Sequence, residues 1–177
     1  MKVGILGSGG REHAICVALN KSKKVKEIYC FPGNAGTSFI SQNIDIKLDA
    51  FDKLKQFIIE KKIDLVIVGP EQPLVNGVVD FLENNNIKVF GPNKTAAQLE
   101  GSKIFTKKLC EKYKIPTAKF RVFIDKDSAG KFLKDCKFPI VIKADGLAAG
   151  KGVYISGNYS EAINAVNEVF DGKFGAA

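Results

Sequence analysis

From Met1 to Pro92 the chain alternates apolar runs of strand length with amphipathic stretches of helix length, and glycine follows four of the strands. Strands are predicted at 2–6, 27–31, 43–47 (a short one), 63–68 and 87–90. Between them, Ala14, Ile15, Ala18 and Leu19 mark one helix. Phe51, Leu54, Phe57 and Ile58 mark a second, with Asp49 as its N-cap, and Leu74, Val75, Val78, Val79 and Leu82 mark a third over 74–84. Strictly alternating strands and helices predict an α/β fold with a doubly wound parallel sheet. Such sheets bind ligands beyond the carboxyl ends of their strands, so the glycine-bearing turns after residues 6, 31, 68 and 90 should line the crevice.

Those turns hold the first candidate residues. Gly7-Ser-Gly-Gly-Arg-Glu-His13 opens a helix, whose free N–H groups and positive end suit a phosphate, with Arg11 as a further donor. A dinucleotide fingerprint needs a third glycine where Glu12 stands. The second strand runs into Phe31-Pro32-Gly33-Asn34-Ala35-Gly36 without the acid that would hold a ribose hydroxyl. His13, the single histidine, reads as a helix residue fixing the turn, since no second histidine or cysteine lies near it in sequence. Glu71 ends a strand in Val68-Gly-Pro-Glu71, where it is either a ligand contact or a solvated loop carboxylate.

Beyond residue 92, Asn93 can cap a helix over 94–100, and Ser102 another reaching about 114 with Ile104, Phe105, Leu109 and Tyr113 available for packing. Lys103 falls in the first turn of that helix, an unfavourable place for a cation unless an anion offsets it; a solvated lysine is the alternative. From Ala118 the pattern becomes α+β, with strands at 119–124, 139–143 and 152–155 and helices at 127–135 and 160–170. The stretch Phe138 to Ile155 is a strand carrying Lys143, a loop with glycines at 146, 150 and 152, and a second strand. Glycines let backbone amides converge on phosphate oxygens, while Lys143 and Lys151 add charge. A Walker loop is excluded, because only three residues separate Gly146 from Gly150 and Gly152 follows Lys151. A plain glycine-rich hairpin with surface lysines is the alternative.

The net charge of +8 is almost all lysine, and no lysine run exceeds two residues. Scattered charge of this kind favours phosphorylated small molecules over nucleic acid. No apolar run is long enough to cross a bilayer and no leader precedes the first strand, so no membrane partner and a cytoplasmic location are expected. Cys16, Cys30, Cys110 and Cys136 form no Cys-x-x-Cys pair and read as buried free thiols.

Taken together, Gly7-Ser-Gly-Gly-Arg-Glu-His-Ala14, Pro32-Gly-Asn-Ala-Gly36, Val68-Gly-Pro-Glu71 and Lys143-Ala-Asp-Gly-Leu-Ala-Ala-Gly-Lys-Gly-Val153 resemble the phosphoribosylamine–glycine ligases (glycinamide ribonucleotide synthetases) of the ATP-grasp superfamily. The resemblance runs from Met1 to about Phe174 with the motifs in the family's order. It implies a Rossmann-like N-terminal domain over 1–100, a linker helix over 101–117 and an incomplete ATP-grasp lid subdomain over 118–177. It places Gly9, Gly10 and Arg11 on the phosphate of phosphoribosylamine, and Asn34 and Glu71 near the ribose. It places Lys103 and Lys143 on ATP, and makes Gly146, Leu147, Ala148, Ala149, Gly150, Lys151, Gly152 and Val153 the phosphate loop.

The implied activity is ATP-dependent ligation of glycine to 5-phosphoribosylamine through glycyl phosphate, in purine biosynthesis. The implied partners are these small molecules alone, with a monomer as the complete protein. The chain stops before the family's last lid strand and its larger ATP-grasp subdomain, which carries the Mg2+ ligands and the glycine site. Inactivity of these residues alone is therefore expected, with no catalytic or metal-binding residue among them. A phosphate-ligand binding module or one half of a split ligase is the alternative, and a nicotinamide-dependent oxidoreductase is disfavoured by Glu12.

Overall fold

The computed structural model describes residues 1–148 and 151–174, and the chain divides into two compact units, residues 1–97 and 98–177. The first unit contains β1 (Lys2–Gly7), β2 (Glu27–Pro32), β3 (Gln42–Asn43), β4 (Leu65–Val68) and β5 (Val89–Phe90), all parallel in the order β3-β2-β1-β4-β5. That is the strand order of doubly wound folds. Alternation along the strands sorts the core into two faces. Val3, Ile5, Ile28, Cys30 and Ile67 meet Ile15, Cys16 and Leu19 of α1 (Gly10–Asn20) on one side. On the other, Leu6, Tyr29, Phe31, Val66 and Val68 meet Leu54 and Ile58 of α2 (Phe51–Lys61) and, beyond α3 (Glu71–Asn76), Val78, Val79 and Leu82 of α4 (Val78–Asn84). Large side chains that are fully enclosed here each contribute about 1.5–3 kcal/mol.

Three local expectations change in this unit. The strand expected at 43–47 is only the two residues of β3; Ile44 still donates to the Cys30 carbonyl, but Ile44, Ile46 and Leu48 turn into the core. The N-cap of α2 is Ala50, while Asp49 contributes its backbone carbonyl to the Phe51 amide. The single helix expected at 74–84 is two helices, broken at Gly77, whose φ of 92° lies in the left-handed region that stops a helix. The apolar spacing continues across the break because both helices face the same core.

The boundary between the units falls within α5 (Lys94–Gly101); in the second unit follows α6 (Lys103–Lys112), capped by the Ser102 hydroxyl, which accepts from the Phe105 amide at 3.0 Å. The stretch expected as a linker, 101–117, groups with this unit. No strand forms at 119–124. A strand needs a partner for its backbone groups, and among the described residues none runs beside it; Lys107 Nζ instead holds the Thr117 hydroxyl at 2.6 Å and the Ala118 carbonyl at 3.0 Å. Helix α7 (Lys126–Leu133) and helix α8 (Tyr159–Phe170) cover one face of an antiparallel hairpin, β6 (Ile140–Lys143) with β7 (Val153–Ser156). Ala129, Leu133, Ala162 and Val166 form this core, with Ile140 and Ile142 against it.

Cys16 and Cys30 are fully buried thiols with their sulfurs 3.2 Å apart, whereas Cys110 and Cys136 are half-buried, so only two of the four match the expectation. Burial, reinforced by the neighbouring Cys30, pushes the Cys16 thiol up to about 12. A thiol reacts as its thiolate. Iodoacetamide at pH 8 should therefore label Cys110 and Cys136 in the folded chain and spare Cys16 and Cys30, read by peptide mass spectrometry; equal labelling of all four would contradict this packing.

Candidate phosphate and nucleotide sites

In the first unit the ladder of the sheet extends into the turns. The Gly33 amide donates to the Gly7 carbonyl at 3.1 Å and the Gly69 amide to the Leu6 carbonyl at 3.0 Å, so the turns after β1, β2 and β4 lie side by side. Asn34 ties them further: its amide nitrogen donates to the Ser8 carbonyl at 2.8 Å and is 3.3 Å from that of Gly9, while its oxygen accepts from the Thr37 amide at 3.0 Å. Across the crevice, Arg11 Nη1 donates to Glu71 Oε1 at 2.8 Å. That hydrogen bond, with backbone donation behind it, holds the Glu71 carboxyl below the usual carboxylate range. Gly9, Gly10, Arg11, Asn34 and Glu71 are thus assembled at one end of the sheet, and Glu71 is neither isolated nor merely solvated.

Glu12, read from the sequence only as the residue that stands where a third glycine would, has a structural role that the sequence analysis did not assign. Its side chain is 3% exposed and Oε2 accepts the Gly9 amide at 2.5 Å, while Oε1 has no hydrogen-bond partner among the described residues. A Cβ on Gly69 would lie 2.0 Å from Glu12, one on Gly7 2.6 Å and one on Gly9 2.8 Å. Those glycines make room for the carboxylate. At Gly10 a Cβ would meet nothing within 4 Å, so the protein's own packing does not require glycine there. The signal for Glu12 was in the sequence: a glutamate three residues after the helix N-cap reaches back to the cap amide. His13 lies in α1 with its ring against Gly36 of the turn after β2, where a Cβ would lie 2.9 Å away.

In the second unit the exposed face of the hairpin carries Val141, Lys143, Val153 and Ile155, with Val141 opposite Ile155 and Lys143 opposite Val153. The result is an apolar plate with an ammonium group at one end. The loop between the strands is closed at its root by the Ala144 amide donating to the Gly152 carbonyl at 2.8 Å, and the Lys151 amide donates to the Ala148 carbonyl at 2.9 Å. Lys103, forty-three residues away in sequence, donates from Nζ to the Gly146 carbonyl at 2.9 Å. The structure thus brings Lys103 to Gly146, in the loop that follows Lys143 and that also contains Leu147, Ala148, Lys151 and Gly152 before Val153; Ala149 and Gly150 lie outside the described residues. Among the described residues no cluster of three or more His, Cys, Asp or Glu side chains is placed to hold a metal ion, and no helix is long and apolar enough to cross a membrane.

A doubly wound parallel sheet followed by an α+β unit with a lysine-bearing glycine hairpin defines a two-part α/β architecture. Comparison with known families narrows this. Residues 1–100 match the profile of the phosphoribosylglycinamide synthetase N domain, and residues 101–177 that of the phosphoribosylglycinamide synthetase ATP-grasp (A) domain. The chain belongs to the phosphoribosylglycinamide synthetase family. It is 51% identical over 162 residues to a phosphoribosylamine–glycine ligase of Caldanaerobacter subterraneus, covering 92% of this chain and 39% of that protein. It is 49% identical to one from Fusobacterium nucleatum, covering 100% of this chain and 42% of that protein. The crystal structure of a phosphoribosylamine–glycine ligase from Thermotoga maritima superposes with a TM-score of 0.78 at 35% identity, over 98% of this chain and 40% of that one. A carboxyaminoimidazole ribonucleotide synthase from Aspergillus clavatus, solved with ATP, shares the fold at 18% identity and a TM-score of 0.72, over 96% of this chain and 44% of that one. The chain spans about two-fifths of the length of the relatives it matches.

The two kinds of glycine make opposite predictions. Gly69→Ala forces a methyl into Glu12 and should cost about 1–3 kcal/mol in a denaturant titration of the first unit, with much of the loss recovered when Glu12→Ala is added. Gly10→Ala should leave stability unchanged or slightly raised. Equal destabilisation by both substitutions would contradict the placement of Glu12.

Proposed function

We propose that this chain is the phosphoribosylamine-binding part, together with part of the ATP-binding part, of a phosphoribosylamine–glycine ligase. The observation that carries the reading is the Lys103 to Gly146 contact of 2.9 Å, which joins the two sequence-distant lysine motifs at one loop. In the ligation, an oxygen of the glycine carboxylate attacks the γ-phosphorus of ATP and ADP departs. The amine of 5-phosphoribosylamine then attacks the resulting acyl phosphate, and phosphate leaves as the amide forms. Lys103 and Lys143 offset charge on the transferred phosphoryl group, the amides around Gly146 and Gly152 cradle it, and the Val141–Ile155 plate receives the base.

In the first unit, the 5′-phosphate sits over Gly10 at the start of α1, with the Arg11 guanidinium beside it and Glu71 and Asn34 toward the ribose. Support comes from Gly10 being the turn glycine that packing does not demand. The Gly9 amide, committed to Glu12, fixes the turn's shape rather than the phosphate. No step through Mg2+ is assigned to the described residues; in this reading turnover and the glycine site belong to the part of the relatives beyond this span.

Calorimetric titration of the chain tests the reading. ATP should bind saturably and NAD should not. Lys143→Ala should weaken ATP about tenfold to a hundredfold, the value of one or two hydrogen bonds to a charged group. Saturable NAD binding, or ATP binding that ignores Lys143→Ala, would overturn it.

A further inference from the structure

An acidic residue inside a loop that receives phosphates is an electrostatic cost unless its charge is spent elsewhere. Asp145, two residues after Lys143 and one before Gly146, is such a residue. Its Oδ1 accepts from the Ile104 amide at 3.1 Å, and the Ser102 hydroxyl lies 3.2 Å from Oδ1 and 3.0 Å from Oδ2. Ser102 in turn caps the Phe105 amide at 3.0 Å. A carboxylate therefore sits on the positive end of α6, where it is stabilised and where it offsets the cation of Lys103 in the same turn.

The consequence is geometric. Residues 102, 103 and 104 contact residues 145 and 146 by hydrogen bonds from a hydroxyl, an ammonium and a backbone amide. Lys103 belongs to one side of this clasp and Lys143, through two covalently linked residues, to the other. Among the described residues no other hydrogen bond spans between α6 and the end of β6. From this arrangement we propose that Asp145 is a positioning residue: it sets the spacing of Lys103 and Lys143 so that both amines reach one triphosphate. This rests on the nucleotide reading above. Asp145 itself does not touch the ligand.

The test compares Asp145→Ala, Asp145→Asn and Ser102→Ala in the chain, with ATP affinity measured by calorimetry well below the unfolding midpoint of each variant. Asparagine can still accept from the Ile104 amide and donate to Ser102, so Asp145→Asn should stay within about threefold of the original affinity. Asp145→Ala should lose about tenfold to a hundredfold, and Ser102→Ala about three- to tenfold. Lys103→Ala added to Asp145→Ala should cost little more, because a lysine no longer held in place contributes little. A purely structural aspartate would give additive losses instead. If the alanine variant does not fold, Ser102→Ala with and without Lys103→Ala decides by the same criterion. Asp145→Ala binding ATP like the original chain, or additive losses with Lys103→Ala, would overturn the proposal and leave the nucleotide reading standing. Failure of the unsubstituted chain to bind ATP would overturn both.

Discussion

Strand β1 is hydrogen-bonded on both sides by parallel partners, with Leu6 opposite Phe31 on one side and Val68 on the other. Because the three strands run in register and in one direction, they end together, and the turns that follow them cannot avoid each other. Arg11 after β1, Asn34 after β2 and Glu71 after β4 are sixty residues apart in sequence at the extreme, yet they share one edge. Any polar group at the carboxyl end of these strands is either a partner for another turn or a contact for a ligand. Asn34 is occupied largely with the first task, and Arg11 pairs with Glu71 while its side chain stays mostly exposed.

The second unit solves a different problem. Its hairpin has one face packed on α7 and α8 and an exposed face that carries Lys143, while Lys103 reaches the loop from α6. A cation in the first turn of a helix is unfavourably placed, and the fold compensates with a carbonyl on Lys103 and a carboxylate at the N-terminus of the helix that carries it. The buried acid of the first unit, Glu12, and the capping acid of the second, Asp145, each accept a backbone amide at the start of a helix, Gly9 in one case and Ile104 in the other.

What could be read from the amino acids was what is local. The strand and helix alternation, the Asn93 and Ser102 caps and the strand–loop–strand of 138–155 depend on spacings of a few residues, and the structure contains them. The errors lie where distant partners decide. Residues 119–124 have strand composition but no neighbouring strand, and the apolar rhythm of 74–84 concealed the turn at Gly77 because both halves pack on one core. Ser102 was recognised as a cap, but its clasp on Asp145 depends on a contact across 43 residues that no local pattern encodes. Glu12 stood in plain view as a missing glycine, and only the three-dimensional placement of Gly69 against it shows why glycine recurs in turns that do not all face a ligand.

In the proposed function the two units hold two different phosphorylated ligands at two different glycine turns. Amide chemical-shift mapping of the nitrogen-15-labelled chain, with ATP and with ribose 5-phosphate added separately, tests it directly. The account predicts that ATP shifts the amides of Lys103, Lys143, Gly146 to Ala148 and Lys151 to Val153, and that ribose 5-phosphate shifts those of Gly10, Arg11, Asn34 and Glu71. Shifts from ATP confined to the turn at Gly9 to Arg11, with the hairpin unmoved, would contradict it.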